Sequence, residues 1–193
     1  MSSTNRSDSR DLHIADYYVT PIHTIIDFLN EFIKYEPFAF NGMILDPCAG
    51  GDKKHPMSYP EALKQFGMYN KNIITIDIRE DSLAQIKEDY LEVSYCDKFN
   101  MIITNPPFNI ARNIIDKALI DVKDRGFVIM LLRLNYFGGK LREELWKTHM
   151  PKYAFVHNKR LSFTDDGKTD SIEYMHCVWQ KGYYPEFCNL KVI

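Results

Sequence analysis

The segment FNMIITNPPF, residues 99–108, begins as an apolar run rich in β-branched side chains and stops on two prolines. The run predicts a strand over Phe99 to Thr104. The prolines fix φ and remove two amide donors, so the turn after it is stiff and keeps its carbonyls as acceptors. Three other stretches are built the same way. Met43 to Leu45 leads into Asp46, NIITIDI runs from Asn72 to Ile78 through Asp77, and GFVIMLL runs from Gly126 to Leu132. Runs apolar at nearly every position belong to strands covered on both faces.

Helical patterns lie between these runs. Ile22, Ile25, Ile26, Leu29 and Ile33 recur at helical spacing behind Thr20 as N-cap and Pro21 as first helical residue. Pro60 to Phe66 reads as a helix, Ser82 as the cap of a helix through Ile86 to Tyr90, and Ile110, Ile114, Ile115, Ala118 and Leu119 as a helical face. Leu141 to Trp146 adds one more. The alternation predicts an α/β chain with a doubly wound, mostly parallel sheet and helices on both faces. Ala154 to His157 and Tyr174 to Trp179, separated by the polar segment Thr164 to Asp170, predict an antiparallel hairpin at the sheet edge near the C-terminus.

The length of 193 residues suits one domain, expected over 13–193 behind a polar, flexible tail at 1–12, with no separate target-recognition domain. Hydrophobic residues make up 45% and charged residues 26%, as in ordinary globular chains, which speaks against disorder and membrane character. No stretch nears the roughly 18 apolar residues of a membrane span, and the start lacks the apolar centre of a secretory signal, so a cytoplasmic setting is expected. Cysteines at 48, 96, 177 and 188 lack the usual zinc spacing, so no metal site is expected and the thiols read as reduced, packed side chains. The net charge is −2, but residues 1–109 carry 10 basic against 16 acidic side chains and residues 110–193 carry 14 against 10. A polyanion would be met by the second half.

In doubly wound sheets ligands sit at the carboxyl ends of the strands, which puts Asp46, Asp77 and Asn105 along one edge. The Asn105 carboxamide oxygen and the Pro106 carbonyl are suited to take both hydrogens of one amino group, with Phe108 as a stacking face. A plain turn with Phe108 as a core anchor is the competing reading. In the loop DPCAGG, residues 46–51, small side chains let a ligand approach the backbone, and it is neither a dinucleotide fingerprint nor a P-loop. Asp77 is suited to accept ribose hydroxyls, and Asp97, just before the NPPF strand, offers a further carboxylate at the same edge, a turn-capping loop residue being the alternative.

Together and in this order, DPCAGG, IDI and NPPF resemble the S-adenosylmethionine-dependent DNA N6-adenine methyltransferases, over about Tyr17 to Trp179. The resemblance implies a single-domain Rossmann-like methyltransferase fold and S-adenosylmethionine as cofactor. It implies that Tyr18, Thr20 and Pro21 hold the methionine end and ribose, and that Asp46, Pro47, Cys48, Ala49 and Gly50 form the cofactor loop, with Asp46 near the methionine ammonium. Asp77 would take the ribose hydroxyls, Ile78 would pack on the adenine, Asp97 would accept its amino group, and Asn105, Pro106, Pro107 and Phe108 would be the catalytic turn. The chain departs from that family after Gly51, where Asp52-Lys53-Lys54-His55 replaces a further spaced glycine, and in having at most short loops for target recognition.

The implied reaction moves the cofactor's methyl group onto the N6 amine of an adenine flipped out of DNA. Phe163 resembles the later aromatic that contacts the flipped base, a core role being equally open to it, and Arg133, Lys140, Arg142, Lys159 and Arg160, with Lys152, are the candidate backbone contacts. An RNA adenine or guanine amine, a protein glutamine amide, and a non-catalytic nucleic-acid-binding relative are the alternatives. So short a chain implies a brief recognition sequence or help from a second subunit, either another copy or a specificity subunit. Restriction-modification, housekeeping and phage-encoded settings all fit, the last slightly better.

Overall fold

A computed structural model describes residues 18–68, 72–164 and 167–193; the expected tail at 1–12 lies outside them. The strands β1 (Ile44–Asp46), β2 (Ile73–Thr75), β3 (Phe99–Thr104), β4 (Val122–Arg133), β5 (Tyr153–Val156), β6 (Tyr174–Gln180) and β7 (Asn189–Val192) form one sheet of order β2-β1-β3-β4-β6-β5-β7. Parallel pairing joins β2, β1, β3 and β4, and also β5 and β7, while β6 runs antiparallel to both its neighbours. The carboxyl ends of every strand except β6 therefore open onto one edge, and the amino end of β6 joins them there.

Helices cover both faces, as the two-sided apolar runs require. On one face α1 (Ile22–Phe32) and α2 (Ser58–Gln65) bury Ile25, Phe28, Leu29, Phe32, Tyr59 and Leu63 against Ile44, Met101 and Ile129. Phe28 and Phe32 stack at 5.5 Å, and truncating either to Ala would cost about 3–5 kcal/mol. On the other face α3 (Ala111–Asp121) and α4 (Glu143–Thr148) bury Ile114, Ile115, Ala118 and Leu145 against Ile102, Val128 and Met130.

Four details differ from the sequence expectations. The expected edge hairpin forms as the antiparallel pair β5 and β6, but β6 lies inside the sheet and the edge belongs to β7, whose exposed NLKV has no periodic pattern to reveal it. No helix follows Ser82. Instead Ile86 makes an isolated parallel bridge to Ile76, with the Ile86 amide donating to the Thr75 carbonyl (3.1 Å) and the Asp77 amide to that of Ile86 (3.1 Å). Thr20 makes no cap bond: α1 starts at Ile22 with Pro21 in the N-cap position at φ −60° and ψ 125°. Finally, β4 begins at Val122, ahead of the apolar run.

Candidate active site

The first loop at the open edge turns on Gly50 and Gly51, at φ 64° and 75°, a region closed to most side chains. A Cβ on Gly51 would also lie 2.9 Å from Cγ of Met57. The loop is held from behind. The Ala49 amide donates to the Ile76 carbonyl (2.9 Å), the Leu83 amide to the Gly50 carbonyl (3.1 Å), and Arg79 Nη2 to the Gly51 carbonyl (3.3 Å). Asp77, buried two residues beyond β2, accepts the Gly50 amide at Oδ2 (2.7 Å) and the Arg79 amide at Oδ1 (2.8 Å). Each carboxylate oxygen keeps a lone pair for another donor.

Asp46 closes β1 and is fully buried. Its Oδ1 accepts the Cys48 amide (3.3 Å), while Oδ2 has no partner. Burial pushes its carboxyl up to about 7, against the lowering effect of the neighbouring Thr104 hydroxyl and the Cys48 amide, and the nearby Asp77 charge adds to the rise. Burial also drives the Cys48 thiol up, so it is a packing side chain and no nucleophile.

Asn105 follows β3 directly. Its Nδ2 donates to the Thr20 hydroxyl (3.0 Å), and its Oδ1 is buried without a partner. Thr20, expected as a helix cap, instead accepts from this carboxamide, which leaves its acceptor end free.

A cavity of about 290 Å³ joins these elements. Of the residues expected at a cofactor site, Tyr18, Thr20, Pro47, Cys48 and Ala49 line it, as do Asp77, Ile78, Asn105 and Pro107. Ile78 is 57% exposed, an apolar side chain open on the cavity side of the sheet edge. Pro21, Asp46, Gly50, Pro106 and Phe108 border these residues in the chain without forming the wall. The wall includes residues that sequence reasoning missed: Ser58 and Tyr59 of α2, Asp89 and Tyr90 behind the Ile86 bridge, and Asn109, Ile110 and Ile114 at the start of α3.

Asp97 is displaced from its expected role. A residue preceding a parallel strand stands at the amino edge of the sheet, opposite the ligand edge, and there Asp97 pairs with Lys181 at 2.8 Å, which lowers its carboxyl. Asp89, in place of Asp97, reaches the cavity beside Asp77, because the Ile86 bridge runs parallel to β2 and delivers the chain to the carboxyl edge.

Phe108 stands beside the cavity in a small cluster with Leu131, Leu161, Phe163 and Tyr174, and Tyr18 links that cluster to the cavity wall. The Arg133 guanidinium lies 4.6 Å from the Phe108 ring centre, a cation–π contact, and Phe163 is edge-on to Tyr18 (5.9 Å) and Tyr174 (4.9 Å). Arg142 donates to the Gly138 carbonyl, Arg160 pairs with Glu173 (3.2 Å), and Lys140 and Lys159 are exposed. All belong to segments that follow β4 or β5 at the open edge. Lys152 precedes β5, at the opposite edge, bonded to Glu36.

A buried polar chain also leaves the cavity wall. The Tyr59 hydroxyl meets Nε2 of His176 (3.0 Å), whose Nδ1 meets Nε2 of His157 (2.8 Å), and Phe28 stacks on His176 at 4.1 Å. Burial lowers both imidazoles, His157 to about 4, so both are neutral near pH 7. Among the described residues no group of three or more His, Cys, Asp or Glu is placed to hold a metal, and no helix is long and apolar enough to cross a membrane.

No protein-family model matches the sequence, and no curated protein matches it. Solved structures do. A Listeria monocytogenes protein described as a class I S-adenosylmethionine-dependent methyltransferase superposes with a TM-score of 0.60 at 12% identity, over 91% of this chain and 65% of that one. A Pyrococcus horikoshii protein described as an RNA methyltransferase gives 0.63 at 16% identity, over 86% and 88%. The M protein of the type I restriction enzyme EcoKI gives 0.51 at 11% identity, over 79% of this chain and 44% of its own. The chain therefore spans less than two thirds of the Listeria and EcoKI proteins. The fold is that of the class I S-adenosylmethionine-dependent methyltransferases.

Proposed function

We propose that this chain transfers a methyl group from S-adenosylmethionine to the N6 amine of adenine in DNA. One observation carries the reading: a buried Asn105 oxygen without a partner, turned by Thr20 beside the cavity and set in a turn whose next two residues are prolines. Buried acceptors without a partner are uncommon in folded chains, and one beside a cavity suits a hydrogen-bond donor on a ligand.

The residues present suit the cofactor. The unpartnered Asp46 oxygen, buried directly behind the wall residues Pro47 and Cys48, suits an ammonium group drawn to that end of the cavity, the spare lone pairs of Asp77 fit a ribose diol, and Asp89 fits the amino group of an adenine packed on Ile78. When bound, the cofactor supplies an electrophilic sulfonium methyl. The chain's part is positioning and electrostatics. Asn105 Oδ1 and the Pro106 carbonyl accept the two N–H bonds of the target amine, which draws the nitrogen toward pyramidal geometry and frees its lone pair from the ring. Phe108 and the cluster behind it offer the flipped base an aromatic face in return for the lost stacking. The basic side chains after β4 and β5 surround that edge, where phosphates would pass.

DNA is favoured by the NPPF resemblance and by the likeness to the EcoKI M protein; the likeness to the Pyrococcus protein makes an RNA amine the second reading. Offering methyl-labelled S-adenosylmethionine with DNA, RNA and protein in separate reactions tests the choice. Label in DNA adenine is expected. Label confined to RNA or protein would overturn the substrate.

A further inference from the structure

Leu141 is 97% exposed, the most exposed large apolar side chain among the described residues. It sits between Lys140 and Arg142 in one 3₁₀ turn, Lys140–Arg142, reached through Gly138 and Gly139, with Gly139 at φ 98°. The turn is braced. Arg142 donates to the Gly138 carbonyl and lies 4.2 Å over the ring of the buried Tyr136, while the Leu145 side chain of the following α4 is fully buried. Leu141 is thus held outward by a stiffened tip. The segment leaves β4 next to the catalytic turn: β4 pairs with β3 up to Thr104 and Met130, and Arg133 at its end lies over Phe108. The two acids that follow, Glu143 and Glu144, belong to the first turn of α4, Glu143 paired with Lys147 (2.6 Å), and the tip ahead of them presents an apolar point flanked by two cations.

We infer that Leu141 is the wedge that enters the base stack where the target adenine leaves it, with Lys140 and Arg142 on the flanking phosphates. A base extruded from a duplex leaves a gap, and an inserted apolar side chain fills it and delays the base's return. Cations beside the wedge suit a phosphate backbone on either side of such a gap. This inference rests on the duplex-adenine reading above and adds to it the residue that makes the base available.

The test uses the full chain and its Leu141→Ala and Leu141→Ser variants on a duplex containing a methylated site mapped for the wild type. The same duplex with an abasic position opposite the target adenine is run alongside. The substitutions are expected to lower kcat/KM on the paired duplex on the order of ten- to a hundredfold, and to change it within about twofold where no partner base holds the adenine. With 2-aminopurine at the target position, the rise in fluorescence on binding should shrink in the variants on the paired duplex. Equal rates for wild type and variants on the paired duplex, or equal losses on both duplexes, would overturn the wedge while leaving the methyltransferase reading intact. A wild type that labels RNA or protein and neither duplex would instead overturn the substrate reading, and the wedge with it.

Discussion

Replacing Asp46 by Asn keeps the shape of a buried side chain and removes its charge. In the folded chain Asp46 holds its proton up to about pH 7, whereas an unfolded aspartate releases it near 3.8. Folding therefore takes up a proton between those values, and the stabilising protonated form is lost as pH rises through the folded value. At about 1.4 kcal/mol per pH unit, ionised Asp46 costs the ligand-free chain about 4 kcal/mol at pH 8, about half of which develops between pH 5.5 and 8. Asp46→Asn should therefore gain stability over wild type by about 2 kcal/mol more at pH 8 than at pH 5.5, read as urea midpoints at the two pH values. The same proton must leave before the carboxylate can hold an ammonium. Calorimetry should show S-adenosylmethionine binding wild type about tenfold more weakly at pH 6 than at pH 8, and Asp46→Asn weakly at both. Parallel stability curves for the two proteins, with a cofactor affinity that does not move with pH, would refute both the buried charge and its assignment to the ammonium.

Three further outcomes follow from the site. Thr20→Val removes the hydroxyl that orients Asn105 and should lower kcat about tenfold or more with KM for the cofactor little changed, whereas Asn105→Ala should abolish turnover and leave cofactor binding within a few-fold; a Thr20→Val enzyme with normal kcat would deny the orienting role. Asp89→Ala should weaken S-adenosylmethionine at least tenfold and Asp97→Ala should not, measured by calorimetry, and the reverse order would restore the sequence expectation. His157, held down to about 4 by burial, is neutral in the folded chain where the unfolded chain is already protonated, so stability is present above pH 6.5 and lost toward 4, by about 3 kcal/mol. His157→Asn should flatten that acid limb in urea titrations, and an unchanged limb would assign it to other groups.

The strands β1 to β4 were legible because two-sided burial leaves a continuous apolar signature, and three of those runs lead into Asp46, Asp77 or Asn105, whereas the exposed β7 leaves none. The NPPF turn announces itself through its prolines. Other parts depend on partners far away in sequence. Ser82 and the residues after it resemble a helix start, but the Thr75 backbone captures Ile86 into the sheet, and only that capture brings Asp89 to the cavity. Thr20 has the residue type of a cap and the position of one, yet its hydroxyl belongs to a side chain 85 residues away. The Tyr59, His176 and His157 chain leaves no mark in sequence, since its members come from α2, β6 and the residue after β5, far apart in the chain.

The bond between Thr20 and Asn105 makes the chemistry answerable to the segment that enters α1. If residues 18–21 lift away from the sheet edge, the carboxamide is released to rotate, and half its orientations present an NH2 where an acceptor is needed. On the proposed role of Asn105, docking of that segment would act as an interlock: the Asn105–Phe108 turn can be complete in every atom and still lack its acceptor. The side-chain amide protons of Asn105 carry the record of this state, sharp and shifted when the hydroxyl is engaged and averaged when it is not, so a single pair of NMR signals reads the latch directly.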